Sequence, residues 1–202
     1  MESLAEKYGQ LLLSQIFTQV WYGNWNEFEE TIEQLPTEWQ EQFPFYEVYN
    51  RKETKSWHEH YFNIPGEYFI PPYLSSYQKE EVQAKESMKN DFYNFIERFD
   101  NVDELNVLRE EEFSDHIGSL TAFVTIMISL EIKAIQENND VYMKDLQHIR
   151  EHFCKKHLKP GVDKLWETYK HKVKDPFFET FIPYCLSNID FVSKTKTSTG
   201  GW

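Results

Sequence analysis

The chain has 202 residues, a length that suits one domain with a core large enough to fold without disulfides or a metal. Its 16 Phe, 12 Tyr and 6 Trp supply large buried areas despite a polar average. With 34 acidic against 21 basic residues the net charge is -13, which argues against a nucleic-acid footprint and against anionic membranes, and weakly favours a basic partner.

The apolar residues Leu4, Tyr8, Leu11, Leu12, Phe17 and Val20 predict a helix over residues 2–22. Asn24, with Glu27 three residues on, reads as an N-cap opening a helix through Phe28, Ile32 and Leu35. Pro36 starts a short helix around Trp39 and Phe43, which Pro44 interrupts. The stretch from Glu47 to Pro72 is the least regular. Its prolines, Pro-Gly pair and many aromatics predict an ordered surface loop around residues 47–74. Ser75 and Gln78 then read as a capping box for a helix to Phe99.

Asn101 and Glu104 suggest a cap for a short helix near Leu105 and Leu108. A long helix is expected over residues 111–137, central in the bundle because LTAFVTIMISL is apolar on most sides. A buried strand competes there through the β-branched residues, but no strand partner is in view. Asp140 caps a helix to Leu158, and Lys159-Pro160-Gly161 breaks it. A helix with Val162, Leu165, Trp166, Tyr169 and Val173 follows. Asp175-Pro176 opens the last helix, which Pro183 should kink, and the tail from Ser193 is expected to be disordered. With only 7 glycines and few turn signals, the fold class is all-α: a single-domain bundle of about 8–10 helices spanning residues 1–192.

Two cysteines, Cys154 and Cys185, are too few for a disulfide framework. The start MESLAEKYGQ lacks the pattern of a signal peptide, and Leu120–Leu130 is too short and too polar for a stable membrane span, so a cytoplasmic location is expected. There is no phosphate loop, no G-x-S-x-G, no H-E-x-x-H and no His-Asp dipeptide, so the expected role is binding rather than catalysis, with no cofactor and no bound metal. The alternative is a helical metal-dependent hydrolase or metalloprotein using His148 and His152, four apart on one helical face. Cys154 points away from that face, and His58 and His60 are weaker candidates.

Two segments stand out. Ile70-Pro71-Pro72-Tyr73-Leu74-Ser75-Ser76-Tyr77 is a stiff corner that either presents Tyr73 and Tyr77 in fixed directions or uses them to plug the core. Glu112-Phe113-Ser114-Asp115-His116-Ile117 offers a histidine able to switch charge near neutral pH, or simply an acidic first turn favoured by the helix dipole.

Together these segments resemble the TorD/DmsD/NarJ-like redox-enzyme maturation chaperones. That family carries P-Y-x-S-x-Y, matched by Pro72, Tyr73, Ser75 and Tyr77. About forty residues on it carries E-P-x-D-H, then E-L, matched by Glu112, Asp115, His116 and Leu120. Phe153, His157, Leu158 and the Phe177-Phe178 pair fit its C-terminal part. Phe113 replaces the family's proline, Ser119 its second glutamate, and Pro160-Gly161 stands where a tryptophan is common. The resemblance implies an all-α chaperone, monomeric or homodimeric. Its partner would be the catalytic subunit of a molybdenum-cofactor oxidoreductase and that subunit's N-terminal signal peptide, often twin-arginine. Tyr73, Ser75, Tyr77, Glu112, Asp115 and His116 would lie at the client site. An acidic surface would meet arginines and an aromatic groove the apolar part.

Overall fold

The computed structural model describes residues 3–99 and 113–193. The described chain is a single all-α domain without strands. Its α-helices are α1 (Leu4–Tyr22), α2 (Trp25–Glu33), α3 (Thr37–Gln40), α4 (Pro44–Glu47), α5 (Arg51–His58), α6 (Glu81–Arg98), α7 (Ile117–Gln136), α8 (Asp140–Phe153), α9 (Lys159–Tyr169) and α10 (Pro176–Ser193). The short helix expected near Leu105, the residues at the expected start of the central helix, Glu111 and Glu112, and the tail beyond Ser193 lie outside the described residues.

Several expectations change, each for a local reason. The irregular stretch after Glu47 contains α5 and a π-helical turn, Glu59–Asn63, which leaves residues 48–50 and 64–73 irregular. Asn50 caps α5 by accepting from the Glu53 amide at 3.2 Å, and Trp57 stacks on Tyr61 four residues on. Asn24 makes no side-chain cap. Gly23, at φ 70°, turns the chain instead, and a Cβ there would meet the His58 ring at 2.7 Å. Asn139, not Asp140, caps α8 by accepting from the Tyr142 amide.

Lys159-Pro160-Gly161 does not break the helix. The π turn Cys154–Leu158 leads directly into α9, and Pro160 stands in its first turn, where a missing N–H leaves no bond unmade. Asp175-Pro176 behaves as read: the Asp175 carboxylate accepts from the Phe178 amide at 3.3 Å. The Tyr61 hydroxyl accepts from the Lys174 and Asp175 amides at 2.7 and 3.1 Å, tying the π turn after α5 to the entry of α10. The aromatic load is spent there: Phe177, Phe178 and Phe181 pack edge-on against Trp25, Phe28, Phe45 and Tyr61.

The central helix is α7, packed chiefly along α1 and α8. This 20-residue helix holds an 18-residue stretch of mean hydropathy 1.5, long and apolar enough to cross a membrane by length and composition. That corrects the reading of Leu120–Leu130 as too short. Nevertheless 67% of that stretch is buried by its neighbours, as in the core of a bundle.

The buried face of α1 is also not the one its apolar residues suggest. Leu4 and Tyr8 are exposed, while Lys7, Gln10 and Ser14 are buried with Ile16, Phe17 and Val20. Glu131 of α7 causes this. Its Oε2 accepts from Lys7 Nζ at 2.5 Å and from Arg150 Nη2 of α8 at 3.1 Å, and its Oε1 accepts from Arg150 Nε at 2.5 Å. All three residues are fully buried. Arg150 also donates to the Val192 carbonyl, and Gln10 donates to the Phe191 carbonyl at 2.9 Å, so the cluster reaches the end of α10.

This cluster sets an antiparallel register between α1 and α7. Lys7 meets Glu131 at one end, the Thr18 and Thr125 hydroxyls lie 3.4 Å apart midway, and the Tyr22 and Ser119 hydroxyls bond at 2.7 Å at the other end. Glu131→Ala takes the shared carboxylate from two buried cations. It is expected to destabilise the fold by about 3–5 kcal/mol in urea unfolding, whereas an exposed pair such as Arg98–Asp145 should be worth about 0–1 kcal/mol.

Candidate functional site

The site is built from the two segments singled out in the sequence, which the fold brings together. Pro71 and Pro72 hold the chain extended into Tyr73 (φ -97°, ψ 119°). The Ile117 amide donates to the Pro72 carbonyl at 2.8 Å and the Leu74 amide to the Asp115 carbonyl at 3.1 Å. Tyr73 and His116 therefore face each other across a single antiparallel bridge. A 3₁₀ turn, Leu74–Tyr77, follows, and the Tyr77 hydroxyl donates back to the Pro71 carbonyl at 2.5 Å, closing the corner.

Asp115 is the joint. Its Oδ2 accepts from the Ser75 amide at 3.1 Å and from the Ser75 hydroxyl at 2.5 Å, while Lys85 Nζ of α6 lies 3.6 Å from Oδ1. Asp115 and Ser75 are 1% and 2% exposed, so neither faces a partner. The capping box expected at Ser75 and Gln78 is not made, because the serine hydroxyl is taken by Asp115. The next helix, α6, begins only at Glu81.

His116 begins α7. Its Nδ1 accepts from the Gly118 amide at 3.0 Å, so the helix expected from residue 111 starts at Ile117 within the described part. Its ring lies flat on Tyr22, with centroids 5.3 Å apart and planes 4° apart, and meets Tyr73 edge-on at 5.6 Å. Burial pushes its pKa down to about 4, nearby His58 adds to the effect, and Asp115 opposes it. At neutral pH the imidazole is uncharged. With Nδ1 accepting, the proton sits on Nε2, which has no partner among the described residues. The histidine is therefore not poised to switch charge near neutrality.

Around this joint Tyr73 is 46% exposed and Tyr22 43%, while Tyr77 is half-buried with its ring edge-on to Tyr169 of α9. On the far side of Tyr77 an open groove of about 670 Å³ is lined by Tyr77, Lys79, Gln83, Pro160 and Lys164, among others. Glu112 lies outside the described residues. No protein-family model, curated protein or solved structure matches the chain.

Sequence reading missed Tyr22, Lys85, Gly118 and Gly161. A Cβ on Gly118 would come within 3.0 Å of His116 Nδ1 and 3.1 Å of the Tyr22 ring. One on Gly161 would come within 2.7 Å of Leu74 Cδ1. Both glycines permit close approach, and the only local trace was Pro160-Gly161, read as a helix breaker. His148 and His152 line a separate cleft of about 270 Å³ between α6 and α8 with Asp91 and Arg98. Asp91 Oδ2 already takes Lys156 Nζ at 2.8 Å and His157 Nε2 at 2.7 Å. Among the described residues, no three His, Cys, Asp or Glu side chains are grouped to hold a metal. Cys154 is fully buried, its thiol pushed up to about 12 by desolvation.

Asp115→Ala leaves the Ser75 amide and hydroxyl buried without their acceptor and is expected to cost about 2 kcal/mol in chemical denaturation. A second expectation concerns acid. His116 has a folded pKa near 4 against 6.5 for a free histidine. The unfolded chain therefore binds the extra proton first, and stability falls as pH drops below 6.5, levelling near 4. His116→Asn, whose side-chain oxygen can still cap α7, should lessen that slope in thermal melts, leaving the share of His58 and His157, which burial also lowers, and should leave the profile unchanged above pH 7.

Proposed function

We propose that this protein is a cytoplasmic chaperone without catalytic chemistry of its own. In this reading it binds the signal peptide or apoprotein of a molybdenum-cofactor oxidoreductase and assists cofactor insertion before export or assembly. The observation that carries the reading is the joint between Pro72–Tyr77 and Asp115–His116. These two segments bear the resemblance to the TorD/DmsD/NarJ-like chaperones, lie forty residues apart in the chain, and meet through reciprocal main-chain bonds and the Ser75–Asp115 pair. The all-α domain is the architecture that the resemblance implies.

The physics of a signal segment supports the same reading. Such a segment joins a basic end to an apolar stretch. A chain of net charge -13 attracts the first over distances of about a Debye length. The half-exposed rings of Tyr22 and Tyr73 offer the second a surface on rigid supports. Asp115 enters as a positioning residue rather than as the acceptor for an arginine, because both of its oxygens already face Ser75 and Lys85.

The test is calorimetry with the N-terminal signal peptide and the apoprotein of a molybdenum-cofactor oxidoreductase. Binding is expected at low ionic strength and should weaken as salt rises, because the attraction between the acidic surface and the basic end is screened. Absence of binding to both peptide and apoprotein overturns the proposal.

A further inference from the structure

Taking a polypeptide client as given by the preceding reading, we infer that the Tyr22–His116–Tyr73 corner grips an uncharged, apolar stretch of that polypeptide through a main-chain carbonyl, and that the client's basic end binds elsewhere.

Four observations lead there. First, the Gly118 amide occupies His116 Nδ1, so the atom left to meet a ligand is Nε2, and it carries a hydrogen. A group that can only donate selects an acceptor. It cannot receive the N–H of an arginine or a lysine. Second, the flanking groups are the faces and edges of two tyrosines, each more than two-fifths exposed. Apolar side chains on either side of a peptide carbonyl match such walls, and rings anchor contacts at low entropic cost.

Third, the Tyr22 hydroxyl is bonded to Ser119, and the main chain on either side of Tyr73 is held by the Ile117–Pro72 and Leu74–Asp115 bonds. These bonds hold the rings as fixed walls. Fourth, Asp115, the carboxylate at the joint among the described residues, is buried, and Lys85 stands 3.6 Å from it. Among the described residues, a guanidinium brought to this corner would meet the Lys85 cation and no open carboxylate. A carbonyl would meet a donor. The corner therefore complements the apolar part of a signal-like segment.

The imidazole's surroundings keep it in this role. Its ring is packed between Tyr22 and Tyr73, with Asp115 preceding it in the chain and His58 close enough to disfavour a second positive charge.

Two synthetic probes separate the alternatives. One is an uncharged peptide of leucine, alanine and serine; the other is the same peptide preceded by two arginines. Affinities are read by fluorescence anisotropy for the wild-type chain, His116→Asn and Tyr22→Leu. His116→Asn keeps an oxygen where Nδ1 caps α7 and removes the Nε2 donor, so a circular-dichroism melt serves to show that the helix persists.

Each variant is expected to weaken both probes by the same factor, about fivefold, the worth of one neutral hydrogen bond or one ring contact. In the wild-type protein the uncharged probe should also shift the His116 side-chain Nε2–H resonance, a readout independent of variant stability. The inference is overturned if the variants weaken only the arginine-bearing probe, or if the uncharged probe leaves that resonance in place. Those results would leave the chaperone reading standing. That reading falls only if the apoprotein and its natural signal peptide also fail to bind.

Discussion

The structure depends on one buried carboxylate. Glu131 sits between Lys7 and Arg150 with all three groups cut off from water, and it ties α1, α7 and α8 together near the end of α10. A buried carboxylate and its cations tolerate little displacement, since any slip leaves a charge unsolvated and unpaired. The cluster therefore acts as a register pin. α1 runs antiparallel to α7, so pinning Lys7 against Glu131 carries Tyr22 to Ser119 and His116 at the opposite end. The candidate site is thus positioned by an interaction at the far end of the same helix pair.

A second constraint acts at the site. Ser75 has two possible uses, as the first cap of a following helix or as a donor to Asp115. Local propensity favours the first. The second prevails because Asp115 is buried and its lone pairs must be satisfied there, whereas the turns before α6 are exposed and water can take their amides. The result is a 3₁₀ corner in place of a longer helix, and that corner leaves Tyr73 on the surface beside His116.

On the proposed reading, the charge distribution would give the two halves of a signal-like ligand different destinations. Excess acid is spread over the chain and works at long range. The corner presents a neutral donor between two rings and favours short-range apolar contact. The one acidic residue in the matched motif that the structure describes is consumed in holding the corner together. Its type follows the resemblance, and its role is internal.

Read alone, the sequence determined the all-α class, the central place of a long helix expected over residues 111–137, the Asp175-Pro176 helix start, and the two segments worth watching. Each of these is local: apolar spacing, proline geometry and capping residues act within a turn or two. Only the tertiary structure decided that Lys7, Gln10 and Ser14 face inward, that Ser75 abandons its cap, that Lys159-Pro160-Gly161 continues a helix, and that Tyr22 covers His116. Those outcomes rest on partners at least thirty residues away, or on a helical turn borrowed from a neighbouring element. A buried lysine becomes intelligible only beside the glutamate 124 positions away that accepts its proton donors, and nothing in the spacing of α1 announces that glutamate.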